Sequence, residues 1–505
     1  MNTIIPILRQ SALTPSAPAL IHGSTTVSYE QLRSFVAFIA YGLHKGGVRM
    51  GDRVVLAGAS PIQEVLVCIA CAWLGAASAP LPARPGEEFY EESARRVGAT
   101  ASVMCTFDGV TPNAPECVPE NRRFLFDALY ERPPEGSQAP EIAHDVDDVL
   151  WRIGFSSGTT ATPKAIGWSH RASLHNSIQL QALFPSGTGE RMVLAMGVSL
   201  LFSGNYWARL LHCGGCVIFP TDITAPTVMK TVTEQKATQL IASSHLASGL
   251  ALFVSRRMPG TARVTPDSLR LVIAGGGPVS APTRRIIRER ICPALFINYG
   301  ASETGFLGRA DPVLQDKAPH ITARLGLAVE AQAMDDDDRP LPFGQAGRLR
   351  FRGYAMATEY IGDPEATARQ FKNGWFYPGD IGIVTMNGFV QLLGREDARL
   401  NLGGHKVDPE LVEGVLNDHP MVEESVCFVA SPPTGGPEVL AAGIVAREGA
   451  ALESFSGELR ALCEQRLGKM NTPLLYVTTK SIPRNDNGKI MRQNLNVQIG
   501  QDVSQ

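Results

Sequence analysis

The chain has 505 residues, of which 44% are hydrophobic and 19% charged, a balance that excludes wholesale disorder. Its 46 Lys and Arg against 49 Asp and Glu leave a net charge of −3, which argues against nucleic acid as the main partner. At roughly 100–200 residues per domain the length accommodates about three structural units. Met1–Ala19 carries Arg9 and scattered Pro and Ser where a secretion signal needs an unbroken apolar core. Ser28, followed three residues later by Gln31, opens a predicted helix over 28–43 with a capping box. Arg53–Ala57 reads as a short buried strand and Glu64–Gly75 as a helix. Val65–Ala83 is uncharged, but Gly75, Ser78, Pro80 and Pro82 break its second half, so it predicts a buried helix and strand and no membrane span.

Strands and helices alternate as far as about Ile297, with strands at Arg191–Met196 and Leu269–Ala274 and helices at Pro226–Lys236 and Ala281–Arg290. Alternation of this kind predicts parallel sheets faced by helices. After Tyr299, short strands at Gly347–Arg352, Gly374–Tyr377, Ile381–Thr385 and Gly388–Leu393 predict a small barrel or hairpin sheet. A compact α+β piece follows Gly394, with helices at Pro409–Leu416 and Phe455–Arg466 and strands at Val422–Val429 and Val439–Val445. The Asp335–Asp338 run lacks calcium-loop spacing and reads as a solvated hairpin tip. Nine cysteines, an odd number in a large chain, predict reduced thiols and a cytoplasmic location. The pairs Cys68/Cys71 and Cys213/Cys216 read as small core residues, not zinc ligands.

Five segments carry chemistry. Phe155-Ser-Ser-Gly-Thr-Thr-Ala-Thr-Pro-Lys164 follows an apolar strand at Val149–Phe155. Its small residues let backbone N–H and hydroxyl groups wrap an anion, and Lys164 adds charge. It differs from the Walker loop, in which the Lys directly precedes Ser or Thr and opens a helix. Asn298-Tyr-Gly-Ala-Ser-Glu303-Thr-Gly305 follows a predicted strand, where open α/β sheets bind ligands. There Tyr299 could stack on a base, Ser302 could hydrogen-bond a phosphate and Glu303 could hold Mg²⁺. Tyr377-Pro-Gly-Asp380 ends a strand with a carboxylate able to accept from two ribose hydroxyls. The last two segments are Gly394–Lys406 and Pro483–Arg492.

In order and spacing these five resemble the adenylate-forming superfamily of acyl-CoA synthetases, peptide-synthetase adenylation domains and beetle luciferases. The resemblance runs from about residue 10 to residue 495. It implies a large N-terminal domain, 1–394, of two α/β subdomains plus a small β-barrel. A small mobile α+β C-terminal domain, 395–505, would carry the catalytic lysine. It further implies that Ser156, Ser157, Gly158, Thr159, Thr160 and Lys164 cover the β- and γ-phosphates. Gly275, Gly276, Gly277 and Tyr299 would bracket adenine. Ser302 would touch the α-phosphate, Glu303 the magnesium, and Asp380 and Arg395 the ribose. Lys489 would reach the carboxylate and α-phosphate, Asp397 would be the hinge, and Gly403 and Gly404 would face the thiol acceptor. Ala161, Ala165 and Ser302 depart from the family's usual Gly, Gly and Thr, which implies tuning of the loop and not loss of activity.

The implied cofactors are ATP, Mg²⁺ and CoA, or the phosphopantetheine of a carrier protein. The implied partners are a small-molecule carboxylic acid and, as runner-up, an acyl carrier protein, with the chain a monomer or homodimer. The resemblance also locates the acid pocket in the segment before Cys213. Gly197–Trp207 contains no acidic residue to pair an α-ammonium, so α-amino acids are disfavoured. Leu200, Leu201, Phe202, Tyr206 and Trp207 predict an apolar acyl or aryl acid.

Overall fold

A computed structural model describes every residue except 82–86, 108, 133, 135, 136, 138, 156–163, 259, 397–399, 403, 404, 431–438, 448, 485–489 and 491–505. The capping box at Ser28 forms. The Gln31 N–H donates to Ser28 Oγ at 3.2 Å and the Ser28 N–H donates to Gln31 Oε1 at 2.9 Å, opening the helix Tyr29–Lys45. Ser60 and Gln63 repeat the device ahead of Pro61–Trp73, whose residues from Glu64 onward are all buried. The strand Ala77–Pro80 follows it, buried on both faces. The uncharged stretch is thus a core helix and a core strand.

Seven strands form one sheet, in the order 360–361, 165–169, 150–155, 77–80, 53–57, 101–104, 123–125. Its five members from 150–155 to 123–125 run parallel, as the alternating pattern predicted. A 15-stranded sheet holds the rest of the large domain. Its parallel half pairs Pro18–His22, Cys216–Phe219, Arg191–Ala195, Gln239–Ser243, Leu271–Gly275 and Leu295–Ala301. The strand Leu295–Ala301 then turns back antiparallel into Gly305–Ala310. From there the short strands after Tyr299 continue the same hydrogen-bonded ladder and enclose a core of Leu307, Ala333, Leu349, Phe351, Val384 and Val390.

The predicted helix over Ala281–Arg290 is α-helical only to Ile286 and continues as a π-turn over Ile287–Ile291. The Asp335–Asp338 run caps the hairpin between Val329–Met334 and Ala346–Gly353, and Asp338 pairs with Arg348 at 2.8 Å. The C-terminal piece is a three-stranded sheet, Val422–Ala430, Val439–Ala446 and Leu475–Thr478, packed on helices Pro409–Asn417 and Leu452–Leu467 around its own core. Cys68 and Cys71 are buried, and burial pushes both thiols up.

Candidate active site

The loop 156–163 lies outside the described residues, but its two ends are fixed. Phe155 pairs with Ala165 across an antiparallel ladder. The helix His170–Leu183 comes only after the strand Ala165–Ser169. Ala-Ile-Gly-Trp-Ser has the β-branched and aromatic content that a sheet edge accepts. Lys164 stands at the described end of this connection. Its Nζ donates to Gln370 Oε1 at 2.7 Å and lies 4.5 Å over the Tyr360 ring.

The Tyr360 hydroxyl lies 2.7 Å from Glu303 Oε1 and 2.6 Å from Gln370 Oε1, and its single proton serves one of them at a time. Burial first, and then the Glu303 charge, hold the Tyr360 phenol well above its ordinary range, so it stays a neutral donor. Lys164 and Glu303 are therefore joined through Tyr360 and Gln370. Neither residue stood out in the sequence.

The Asn298–Gly305 segment is held from behind. The Trp168 indole N–H donates to the Ser302 carbonyl at 2.9 Å, and the Ala357 N–H donates to the Glu303 carbonyl at 2.8 Å. Gly305 has φ +62°, and a Cβ there would collide with the Trp168 ring, so only glycine closes this turn. The Tyr299 hydroxyl donates to Asp380 Oδ2 at 2.5 Å, and its ring meets Phe351 edge-on at 5.7 Å. Burial first, then the Asp380 charge, push the Tyr299 phenol far up. Asp380 pairs across the ladder with Arg395, whose guanidinium reaches Asp380 Oδ1 at 3.3 Å and the Pro378 carbonyl at 3.2 Å. Tyr299, Asp380 and Arg395 thus form one cluster, and Lys164, Glu303, Tyr360 and Gln370 another. Residues 299–303 link the two.

A narrow cleft of about 20 Å³ opens beside this turn, with room for about one water molecule. Leu201, Phe202 and Tyr206 line it from the helix Leu201–His212, and Tyr299 and Ser302 from the turn. Gly275 approaches the same side chains: a Cβ on it would lie 3.0 Å from the Phe202 ring. Leu200 and Trp207 correct the expectation. Leu200 holds the N-cap position outside the cleft lining, and Trp207 is fully buried with its ring edge-on to Trp151 at 5.8 Å.

A buried ion pair packs against the helix Leu201–His212, with the Arg152 guanidinium 5.5 Å from the Trp207 ring centre. Arg152 donates to Glu64 Oε1 at 2.9 Å and to the Val198 carbonyl at 2.7 Å, while Ser199 Oγ donates to Glu64 Oε2 at 2.9 Å. Burial pushes the Glu64 carboxyl up, against the opposing pull of Arg152. Charges isolated in the apolar runs Val149–Phe155 and Pro61–Trp73 were the signal that could have found this pair. Ser156, Ser157, Gly158, Thr159, Thr160, Ala161, Asp397, Gly403, Gly404 and Lys489 lie outside the described residues.

Known proteins match this chain over nearly their whole length. Feruloyl-CoA synthase of Amycolatopsis sp is 26% identical over 502 residues, covering 98% of each chain. The 2-succinylbenzoate–CoA ligase of Geobacillus kaustophilus (strain HTA426) is 27% identical over 519 residues, again covering 98% of each. In fold, the chain is similar to o-succinylbenzoate CoA synthetase of Bacillus subtilis, solved with its acyl-adenylate intermediate, with a TM-score of 0.79 at 21% identity and 97% coverage of each chain. The family model for the AMP-binding enzyme C-terminal domain matches residues 411–489, and that for the AMP-binding enzyme matches residues 7–361. The chain belongs to the AMP-binding enzyme family.

Proposed function

We propose that this chain activates a carboxylic acid with ATP and passes the acyl group to the thiol of CoA. The observation that carries the reading is the coupling of Lys164 to Glu303 through Gln370 and Tyr360, beside the Tyr299–Asp380–Arg395 cluster. In the first step a carboxylate oxygen attacks the α-phosphorus of ATP, and the bond to pyrophosphate breaks. The acid is already ionised at neutral pH, so no general base is required. What the step demands is alignment and neutralisation of charge growing on the leaving group. Lys164 supplies fixed charge, and Asp380 and Arg395 hold the ribose.

The Glu303 carboxylate is a hard oxygen donor with acceptor capacity beyond its bond from Tyr360, which suits Mg²⁺. The bound ion would neutralise phosphate charge. In the second step the CoA sulfur attacks the acyl carbonyl and AMP leaves. The acid pocket, built on Leu201, Phe202 and Tyr206 without an acidic residue, supports an apolar acyl or aryl acid over an α-amino acid.

The remaining roles rest on the family resemblance. Residues 156–160 would wrap the β- and γ-phosphates, Gly275–Gly277 would flank adenine, and Lys489 would arrive from a mobile domain 395–505 hinged at Asp397. Gly403 and Gly404 would then face the thiol. The separate core of the C-terminal piece supports that division. Free thiols throughout support a cytoplasmic setting, and no described helix is long and apolar enough to cross a membrane. The test is acid-dependent pyrophosphate release with ATP and Mg²⁺ across a panel of acids, followed by CoA against a phosphopantetheinylated carrier protein as acceptor. No release with any acid refutes the activation reading. Turnover with the carrier protein alone refutes CoA as acceptor.

A further inference from the structure

The cleft beside the Tyr299 turn is not lined by apolar groups alone. Asn176, on the helix His170–Leu183, is fully buried and lines it, and so does Asn298, which is 7% exposed. The Asn176 amide is oriented by the backbone, because its Oδ1 accepts from the Phe306 N–H at 3.2 Å. That bond fixes Nδ2 as a donor, and Nδ2 has no hydrogen-bond partner among the described residues. Asn298 Nδ2 donates to the Tyr206 hydroxyl oxygen, and Asn298 Oδ1 has no partner among them either. Flipping the Asn298 amide only exchanges which of its two polar atoms is unspent.

The surroundings offer these atoms no substitute. The buried face of the same helix is polar, with the Ser173 and Ser177 hydroxyls within one turn of Asn176 and likewise without partners among the described residues. A buried amide left unpaired is costly, and native proteins rarely keep one without a use for it. Here one donor and one acceptor, on two separate elements, border the compartment in which the acid is proposed to sit.

We propose that the acid this chain activates carries an oxygen substituent on its acyl or aryl portion, a hydroxyl above all, bound by Asn176 Nδ2 and the Asn298–Tyr206 pair. A hydroxyl both accepts and donates, so one group can satisfy both unspent atoms. The cleft's room for about one water molecule matches a single hydroxyl, with Leu201 and Phe202 flanking the point where the carbon skeleton would meet it. This deepens the acid-activation reading and rests on it. It makes the pocket one that rejects purely hydrocarbon acids, because these would leave both amides desolvated and unpaired.

The test uses the full chain with ATP and Mg²⁺ and measures kcat/KM for pyrophosphate release with matched pairs. Benzoates and cinnamates hydroxylated at ring position 2, 3 or 4 are each compared with the methyl acid of the same position, and 6-hydroxyhexanoate with heptanoate. At least one hydroxy acid is expected to exceed its methyl partner more than tenfold. Asn176→Leu is expected to bring that ratio to within about twofold. Asn176→Asp, which keeps the acceptor for the Phe306 N–H and loses the donor, should lower it as well. Methyl acids that equal or exceed every hydroxy partner overturn the inference while leaving acid activation standing. An unchanged ratio in folded Asn176 variants overturns it too. The wild-type comparison needs no variant, so misfolding cannot spare the idea. No release with any acid sinks the activation reading, and this inference with it.

Discussion

Replacing Tyr360 by Phe removes a single oxygen and leaves the ring under Lys164, so it isolates the hydroxyl. That hydroxyl is 2.7 Å from Glu303 Oε1 and 2.6 Å from Gln370 Oε1, in a residue that is 2% exposed. With one proton to give, it makes one charge-assisted bond, worth about 1.5–3 kcal/mol. At about 1.4 kcal/mol per tenfold, full expression of that bond in the ATP-dependent step costs roughly 10- to 100-fold in kcat/KM. The loss should fall on the use of ATP·Mg²⁺, because the orphaned partner is Glu303. Pyrophosphate release at saturating acid, titrated with Mg²⁺, should show a lower rate and a higher Mg²⁺ requirement. A variant within twofold of wild type at every Mg²⁺ concentration refutes the idea that Tyr360 orients the metal carboxylate.

Four further outcomes are expected. Lys489→Ala should abolish acid-dependent pyrophosphate exchange and largely spare thioester formation from supplied acyl-adenylate, and equal loss of both half-reactions would refute its two-state role. Gly305→Ala forces a side chain into φ +62° and against Trp168; a midpoint of thermal unfolding equal to wild type contradicts that geometry. Arg152→Met strands the Glu64 charge and should cost about 3–5 kcal/mol in urea unfolding, most of it recovered when Glu64→Leu is added; an unchanged single variant would refute the buried pair.

The fourth concerns acid. His170 is buried and His212 half-buried, and desolvation holds their pKa values down to about 3 and about 4. The unfolded chain binds these protons below about pH 6.5 and the folded chain does not, so stability falls as pH drops from there toward 4. His212→Gln should make the slope shallower by about 1.4 kcal/mol per pH unit in that window, and an unchanged slope in denaturant titrations would show that His212 is not held neutral.

Much of the site was legible because its chemistry sits in contiguous motifs. Asn298–Gly305 and Tyr377–Asp380 each bring their functional side chains in one turn of chain, and the ladder then pairs Asp380 with Arg395. Tyr360 and Gln370 were not legible. Each is an ordinary residue in a polar stretch, and it joins Lys164 only because the strand Tyr360–Ile361 adds to the edge of the first sheet. The family resemblance marked five side chains for the acid pocket but could not supply the helix phase that turns Trp207 into the core. For the same reason it missed Asn176, which lies outside that segment and reaches the cleft from another helix. The antiparallel pairing of Ala323–Leu325 with Phe389–Arg395 is long-range, and local patterns are blind to it.

With the acid and the ribose placed as proposed, the bond from Tyr299 to Asp380 would make their two compartments neighbours across a partition one side chain thick. A bulky acyl group cannot push that partition back without breaking a buried bond to a charged acceptor. Size selection is then enforced from the far side of the wall. On the proposed reading an oversized acid would displace Tyr299, free Asp380 from its set direction, and be expected to raise the KM for ATP.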